Sequence, residues 1–163
     1  VEICPGENTS TKAIEKAKEI FKLSGSSIVT VNKEIDGFIL NRLQGALLNE
    51  AMRLYSEGYA SSEDIDATIK DGLGLRWAFM GPFETIDLNA PGGIKDYMAR
   101  YGSIFIEMAK SQTKIPDWSE NAGIKLELER RKVLSEDDLE KRAKKRNFLL
   151  KQLRKLKIDN DET

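Results

Sequence analysis

The sequence has 163 residues, of which 40% are hydrophobic and 33% charged, proportions that are typical of a globular protein. Its formal net charge of −1 gives no indication of a nucleic acid, an anionic membrane or a polyanionic substrate. The single cysteine, Cys4, excludes an internal disulfide and fits a reducing compartment. No apolar run approaches the length of a membrane span, and the first residues do not resemble a signal peptide. We therefore expect a cytoplasmic protein that binds neither nucleic acid nor membranes.

Several residue types and motifs are absent from the sequence. It has no histidine, the usual general base near neutral pH, and no cluster of cysteines for a transition metal. It also lacks a GxGxxG or Walker loop for phosphates. The chain begins at Val1 without an initiator Met, from which we expect further residues before it.

The first 32 residues are predicted to form a strand, a helix and a second strand. Val1 to Pro5 is a short β-like run that Pro5 and Gly6 stop. Thr9 or Ser10 can cap a helix that ends near Leu23, with Gly25 as its terminator. The β-branched run from Ser27 to Asn32 predicts the second strand.

A long helix is predicted from about Gly37 to Gly58, because apolar residues recur there at three- and four-residue steps. Asn41 and Arg42 interrupt this pattern, and we expect the rest of the helix to be core. On the pattern alone, Asn41 is either a solvent-facing helix residue or an amide held at the mouth of a site.

Further helices follow. Ser61 or Ser62 caps one, the dipeptide Gly81-Pro82 starts another, and Ile94 to Lys110 forms a third. In the third we expect a core-facing stripe: Tyr97, Met98, Tyr101, Ile104, Phe105 and Met108. After a loop from Ser111 to Trp118, we expect a helix through Leu128.

The last predicted helix runs from Glu136 to Lys157 and carries nine Lys and Arg residues between Lys141 and Lys157. Such a helix could bind nucleic acid, a membrane or a calmodulin-like partner. The simpler interpretation, which we favour, is a terminal helix packed on its domain with solvated cations. Residues Asp159 to Thr163 are expected to fray.

Three linked motifs carry a family resemblance: VEICPGENTS at the beginning of the chain, EIDGFILNRLQ at the start of the long helix, and DGLGLRWAFMGPFETIDLN after it. Together they resemble the C-terminal domain of the 3-hydroxyacyl-CoA dehydrogenase superfamily, most closely the lambda-crystallin branch. The enzymatic members of that branch are similar to L-gulonate 3-dehydrogenase.

The resemblance implies a mainly α fold, a multi-helical domain of the 6-phosphogluconate-dehydrogenase-like type preceded by a remnant of a Rossmann domain. It places the NAD-binding remnant at residues 1–33 and the helical substrate-binding and dimerisation domain at 34–163. A homodimer through the helical domain is likewise implied.

The resemblance also assigns catalytic roles to Glu2 and Asn41. Glu2 matches the carboxylate that hydrogen-bonds the catalytic histidine, which precedes this chain in the family; the pattern alone also fits an outward-facing strand residue. Asn41 matches the active-site asparagine that positions the histidine and the substrate oxygen. For Arg42, which follows it, we favour a structural ion pair.

Arg76 lies in the run Asp71 to Trp77, whose glycines predict a tight turn between helices. The turn could be only structural, or it could present Arg76 to a substrate carboxylate. A sugar acid such as gulonate carries this group, whereas an acyl-CoA does not.

The sequence therefore predicts part of an NAD-dependent 3-hydroxy-acid dehydrogenase, and L-gulonate is the substrate that we favour. Without a catalytic histidine and the nucleotide-binding fold, we expect this chain alone to be inactive. A short-chain 3-hydroxyacyl-CoA dehydrogenase is one alternative. A non-catalytic, crystallin-like structural or dimerisation module is another.

Overall fold

Two short parallel strands joined by a helix form the beginning of the chain. In the computed structural model, which describes residues 1–160, strand β1 (Glu2–Ile3) pairs with strand β2 (Val29–Thr30), and helix α1 (Thr11–Leu23) connects them. Both strands are shorter than predicted, because Pro5 has no N–H with which to extend the ladder. The predicted order of strand, helix and strand is confirmed.

The ends of α1 follow its local sequence. The Ser10 hydroxyl accepts a hydrogen bond from the Ala13 N–H at 3.2 Å, so Ser10 is the N-cap. Gly25 has a φ of 69°, and the N–H of the following Ser26 donates to the Phe21 carbonyl at 3.1 Å. This is the Schellman arrangement that a glycine after the last helical turn permits.

Helix α2 (Phe38–Ser56) is the predicted long helix, and it also ends in a Schellman motif, with Gly58 at a φ of 75°. The prediction that it is a core helix is wrong. Of its residues only Met52 is buried, whereas Leu40 and Leu43 are 66% and 59% exposed. Helical periodicity identifies an apolar face of a helix, but it does not identify the element or subunit that packs on that face.

The chain divides into two compact units, Val1–Glu50 and the part from Ala51 onward. The predicted domain boundary between residues 33 and 34 concerns a nucleotide-binding and a helical domain, and it stays a prediction. The second unit contains the remaining helices: α3 (Ser62–Ala67), a π-helical turn (Thr68–Leu73), α4 (Gly74–Trp77), α5 (Pro82–Leu88), α6 (Gly93–Ser111), α7 (Glu120–Val133), a 3₁₀ turn (Glu136–Asp138) and α8 (Leu139–Asn160).

The aromatic stripe of α6 does not face a core. Tyr97 contacts Tyr101 and Phe105 on the same helix, with ring centroids 4.9 and 6.2 Å apart. Tyr101 and Phe105 are nevertheless 40% and 50% exposed. The prediction is wrong because α5, which packs on α6, has only seven residues and covers only part of the longer helix.

Helix α8 (Leu139–Asn160) begins three residues later than predicted, after the 3₁₀ turn, and ends three residues later. Asp159 and Asn160, which were expected to fray, are helical, and the rest of that prediction, 161–163, lies outside the described residues. Most side chains of α8 are exposed, among them Phe148 and Leu149, so the expected packing of this helix on its domain is only partial.

A polar cluster joins α2, α3 and α7 within the second unit. Glu129 Oε1 accepts hydrogen bonds from the N–H and hydroxyl of buried Ser62, at 2.9 and 3.0 Å. The Tyr55 hydroxyl also donates to Glu129. The Ser62 N–H, followed by the Tyr55 and Ser62 hydroxyls, lowers the pKa of the Glu129 carboxyl, while burial and then Glu129 raise the pKa of Tyr55.

We expect Glu129→Gln to lower the melting temperature by several degrees at pH 7. Because the folded-state pKa of Glu129 is depressed, its contribution is present above the pKa of the unfolded chain and is lost as pH falls through the folded value. The difference from wild type should therefore shrink in acid. Thermal denaturation between neutral and acidic pH tests this.

The matched control is Glu127→Gln, which removes the same charge from an exposed position of the same helix. Equal melting temperatures for the two variants at pH 7 would show that the Glu129 cluster does not stabilise the fold.

Candidate functional site

A turn with unusual backbone geometry precedes α2. The Phe38 N–H donates to the Ile35 carbonyl at 3.0 Å, which closes a four-residue turn. Gly37 at its third position has a φ of 81°, and Phe38 follows with a φ of 49°. Among residues 1–160, Phe38 alone is a non-glycine residue with positive φ. Such outliers are most frequent at functional sites.

The Glu2 carboxylate closes the N-terminus of α2. Its Oε1 accepts hydrogen bonds from the N–H groups of Ile39 and Leu40, at 2.8 and 3.2 Å. These are two of the four N–H groups that a helix leaves without an intrahelical partner. A carboxylate at this end is also stabilised by the helix dipole. Strand β1 therefore holds the start of the helix that carries Asn41.

The second carboxylate oxygen of Glu2, Oε2, does not accept a hydrogen bond from the α2 amides. Oε2 makes no hydrogen bond within residues 1–160, and the side chain is half-buried. One oxygen is thus fixed by backbone amides while the other remains available as an acceptor. A carboxylate held like this can orient an imidazole by accepting its N–H.

Asn41 follows the two donating amides directly, in the first turn of α2. Its side chain is exposed, and its amide has no hydrogen-bond partner within the described part of the chain. The structure thus brings Asn41 and the Glu2 carboxylate to the same end of one helix. The catalytic roles of both residues stay predictions.

The ion pair that we favoured for Arg42 is not formed within residues 1–160. Instead, its Nη1 lies 3.5 Å from the Asp36 carbonyl oxygen and donates a long hydrogen bond across the turn. Arg42 therefore ties the first turn of α2 back to the Ile35–Phe38 turn.

Arg76 lies in the second unit, and the predicted tight turn around it is wrong. The chain stays helical there, because the π-helical turn Thr68–Leu73 leads directly into α4. The Gly74 N–H donates to the Ile69 carbonyl, five residues earlier, so the glycines widen the helix rather than end it. The Arg76 side chain is exposed and has no ion pair in the described part of the chain.

Sequence reasoning missed the backbone amides as members of the site. One signal for them existed. The residue before α2 is Gly37, which has no side chain to cap a helix, and the first turn of α2 contains no acidic residue. A helix that cannot cap itself requires a partner from elsewhere.

The described residues contain neither a candidate metal-ion site nor a helix that could span a membrane. Within residues 1–160, no group of three or more His, Cys, Asp or Glu residues could hold a metal ion. Over the same residues, every helix is too short or too polar to cross a membrane.

Comparison with known proteins identifies the family. Residues 37–122, which include Gly37, α2 and Arg76, match the family described as 3-hydroxyacyl-CoA dehydrogenase, C-terminal domain. The chain belongs to this family. The 3-hydroxyacyl-CoA dehydrogenase assignment predicted from the three motifs is thereby confirmed, as is the mainly helical fold class.

Curated relatives of the chain include a lambda-crystallin and an L-carnitine dehydrogenase. Lambda-crystallin of Oryctolagus cuniculus is 44% identical over 119 residues, a match that covers 73% of this chain and 37% of that protein. L-carnitine dehydrogenase of Pseudomonas putida is 44% identical over 103 residues, 63% of this chain and 32% of the relative. The matches thus span about a third of the length of these curated relatives.

A solved structure has a similar fold. It is that of 5-formyl-3-hydroxy-2-methylpyridine 4-carboxylic acid 5-dehydrogenase, an NAD+-dependent dismutase. The TM-score is 0.62 at 26% sequence identity, and the likeness covers 73% of this chain and 36% of that one.

A prediction concerns Gly72 in the π-helical turn and Gly74, which follows that turn at the start of α4. A Cβ on Gly74 would lie 2.8 Å from the Ile69 carbonyl oxygen, whereas a Cβ on Gly72 would meet nothing within 4 Å. We expect Gly74→Ala to lower the free energy of unfolding by about 1–3 kcal/mol, the usual cost of overpacking. Gly72→Ala should raise it by about 0.5–1 kcal/mol, since alanine is the better helix former.

Chemical denaturation of both variants provides the measurement. Equal effects of the two substitutions would contradict the assigned role of Gly74 in this family member.

Proposed function

We propose that this chain supplies the helical part of an NAD-dependent 3-hydroxy-acid dehydrogenase, which transfers hydride from C3 of L-gulonate or a similar hydroxy acid to NAD. The observation that carries the proposal is the Glu2 carboxylate, fixed through Oε1 at the start of α2 with Oε2 available. Membership of the 3-hydroxyacyl-CoA dehydrogenase family supports it.

This chain does not form the nucleotide site by itself. No glycine-rich phosphate loop occurs in the sequence, and β1 and β2 form a sheet of only two strands. NAD would therefore be held mainly by residues outside this chain, where it would accept the hydride. We call this chain together with that nucleotide-binding part the complete enzyme.

The roles of the residues follow from their chemistry. In the complete enzyme a histidine from outside this chain would remove the proton of the substrate hydroxyl. Glu2 Oε2 would accept the imidazole N–H, fix the tautomer and stabilise the imidazolium that forms. The Asn41 amide can both donate and accept, which suits it to hold the histidine and the substrate oxygen.

A free hydroxy acid is the substrate class that we favour. L-carnitine, named for one set of relatives, is a 3-hydroxy acid with a carboxylate, and the substrate of the solved neighbour is named as a carboxylic acid. An exposed guanidinium without an ion pair in the described residues, such as that of Arg76, can bind a carboxylate through two parallel hydrogen bonds. A short-chain 3-hydroxyacyl-CoA is the alternative substrate.

The test is NADH formation by the complete enzyme with L-gulonate, L-carnitine and 3-hydroxybutyryl-CoA offered separately. We expect turnover of at least one free acid. Arg76→Ala should raise the KM for that acid by roughly 10- to 100-fold, because a hydrogen bond between charged groups is lost. The KM for the acyl-CoA should change little.

Lys70→Ala is the matched control, since it removes one positive charge from the neighbouring π-helical turn. Equal effects of Arg76→Ala on the acid and the acyl-CoA would contradict the role of Arg76. Turnover of the acyl-CoA alone would favour the alternative substrate.

We also propose that the complete enzyme is a homodimer through its helical part. Large apolar side chains stay exposed on its helices, including Tyr101 and Phe105 of α6 and Leu40 and Leu43 of α2. Patches of exposed apolar surface mark interfaces between proteins.

A structural role without catalysis is the second candidate function. The relatives named lambda-crystallin favour it, since a crystallin-like chain could serve as a structural or dimerisation module. A folded complete enzyme that binds NAD but oxidises none of the three substrates would support this candidate over the dehydrogenase.

A further inference from the structure

The conformation of Phe38 is the feature of the candidate site that the turn itself does not explain. A type II turn needs one residue with positive φ, at its third position, and Gly37 occupies that position with a φ of 81°. Phe38 comes next and is also left-handed, with a φ of 49°. For an L-residue with a bulky side chain, this region is unfavourable.

The consequence of this second left-handed residue lies in the next two peptide groups. The N–H groups of Ile39 and Leu40 converge on the same atom, Glu2 Oε1, at 2.8 and 3.2 Å. The direction of the Ile39 N–H depends on the backbone angles of Phe38. A right-handed or extended Phe38 would turn these donors away from strand β1.

We infer that the left-handed pair Gly37–Phe38 is a positioning element of the active site, which aims the first amides of α2 at Glu2 and so fixes where Oε2 lies. The inference rests on the proposed function, in which Oε2 orients the catalytic histidine. Phe38 acts here through its backbone, so it is a positioning residue and not a catalytic one.

The geometry argues against a role for the pair in chain reversal alone. A Cβ on Gly37 would meet only Arg42 Cγ at 3.6 Å and Asn41 Cβ at 3.7 Å, which are ordinary contacts. The space around Gly37 would therefore accept a side chain, and its positive φ is what favours glycine at this position. The left-handed conformation of Phe38 instead allows the Ile39 and Leu40 amides to donate their two hydrogen bonds to Glu2, which offset its strain.

A matched pair of variants separates the backbone of Phe38 from its ring. Phe38→Asn removes the ring but tolerates the left-handed region, whereas Phe38→Val removes the ring and resists that region. In the complete enzyme we expect Phe38→Asn to keep a near wild-type kcat. Phe38→Val should lower kcat by roughly 10- to 100-fold, the effect of misplacing a catalytic group by about 1 Å.

Two results of this comparison would overturn the inference. One is an equal fall of kcat in both variants, which would assign the effect to the ring. The other is a change confined to KM, because misplacement of Glu2 acts on the chemical step and leaves Arg76 in place.

A second measurement does not depend on activity. In the complete enzyme labelled with ¹⁵N-isoleucine and ¹⁵N-leucine, the amides of Ile39 and Leu40 should exchange slowly with solvent, because both donate to Glu2 Oε1. Glu2→Ala and Phe38→Val should each speed the exchange of both amides, whereas Phe38→Asn should leave it slow.

The two proposals fail in different ways. Amide exchange of Ile39 and Leu40 that Glu2→Ala leaves unchanged would overturn the inference, whatever the activity. Slow, Glu2-dependent exchange without oxidation of any hydroxy acid would count against the proposed function.

Discussion

The hydrogen bonds between the Glu2 carboxylate and the first amides of α2 are the constraint on which the candidate site depends. They join residues that lie 37 and 38 positions apart in the chain, at 2.8 and 3.2 Å. The carboxylate supplies the cap that Gly37 cannot supply, and it gains the favourable field of the helix end. Because one oxygen takes both amides, a single side chain can stabilise the fold and still present an acceptor to a catalytic base.

Carboxylates also accept hydrogen bonds from the first N–H groups of helices in the second unit. Glu129 accepts from the Ser62 N–H at the start of α3, and Asp87 Oδ1 accepts from the Ile94 N–H near the start of α6 at 2.6 Å. In each case a carboxylate satisfies a helix N–H that has no partner within its own helix. This chain buries few apolar side chains; Val31, Met52 and Ala90 are the buried hydrophobic residues among those described. Polar links between elements therefore contribute much of what fixes its geometry.

Features set by local sequence could be predicted, and features set by distant partners could not. Ser10, Gly25, Gly58 and Ser61 end or begin helices as expected, since capping depends on residues within one turn. The exposure of the α6 stripe could not be predicted, because periodicity identifies an apolar face without its neighbour. The π-helical turn was mistaken for a tight turn, because glycine permits both. At the site, the family motif identified Glu2 and Asn41 as candidates, whereas the amides that hold Glu2 carry no side-chain signature.

The most direct test of this account is the kcat of Glu2→Gln in the complete enzyme. Glutamine keeps an oxygen that can accept the two amides of α2, but it lacks the charge that stabilises an imidazolium. We predict a nearly unchanged melting temperature and KM, with kcat lowered by roughly 10²- to 10⁴-fold, as when a triad carboxylate becomes an amide. A kcat close to that of the wild type would contradict the account and would leave Glu2 as a helix cap alone.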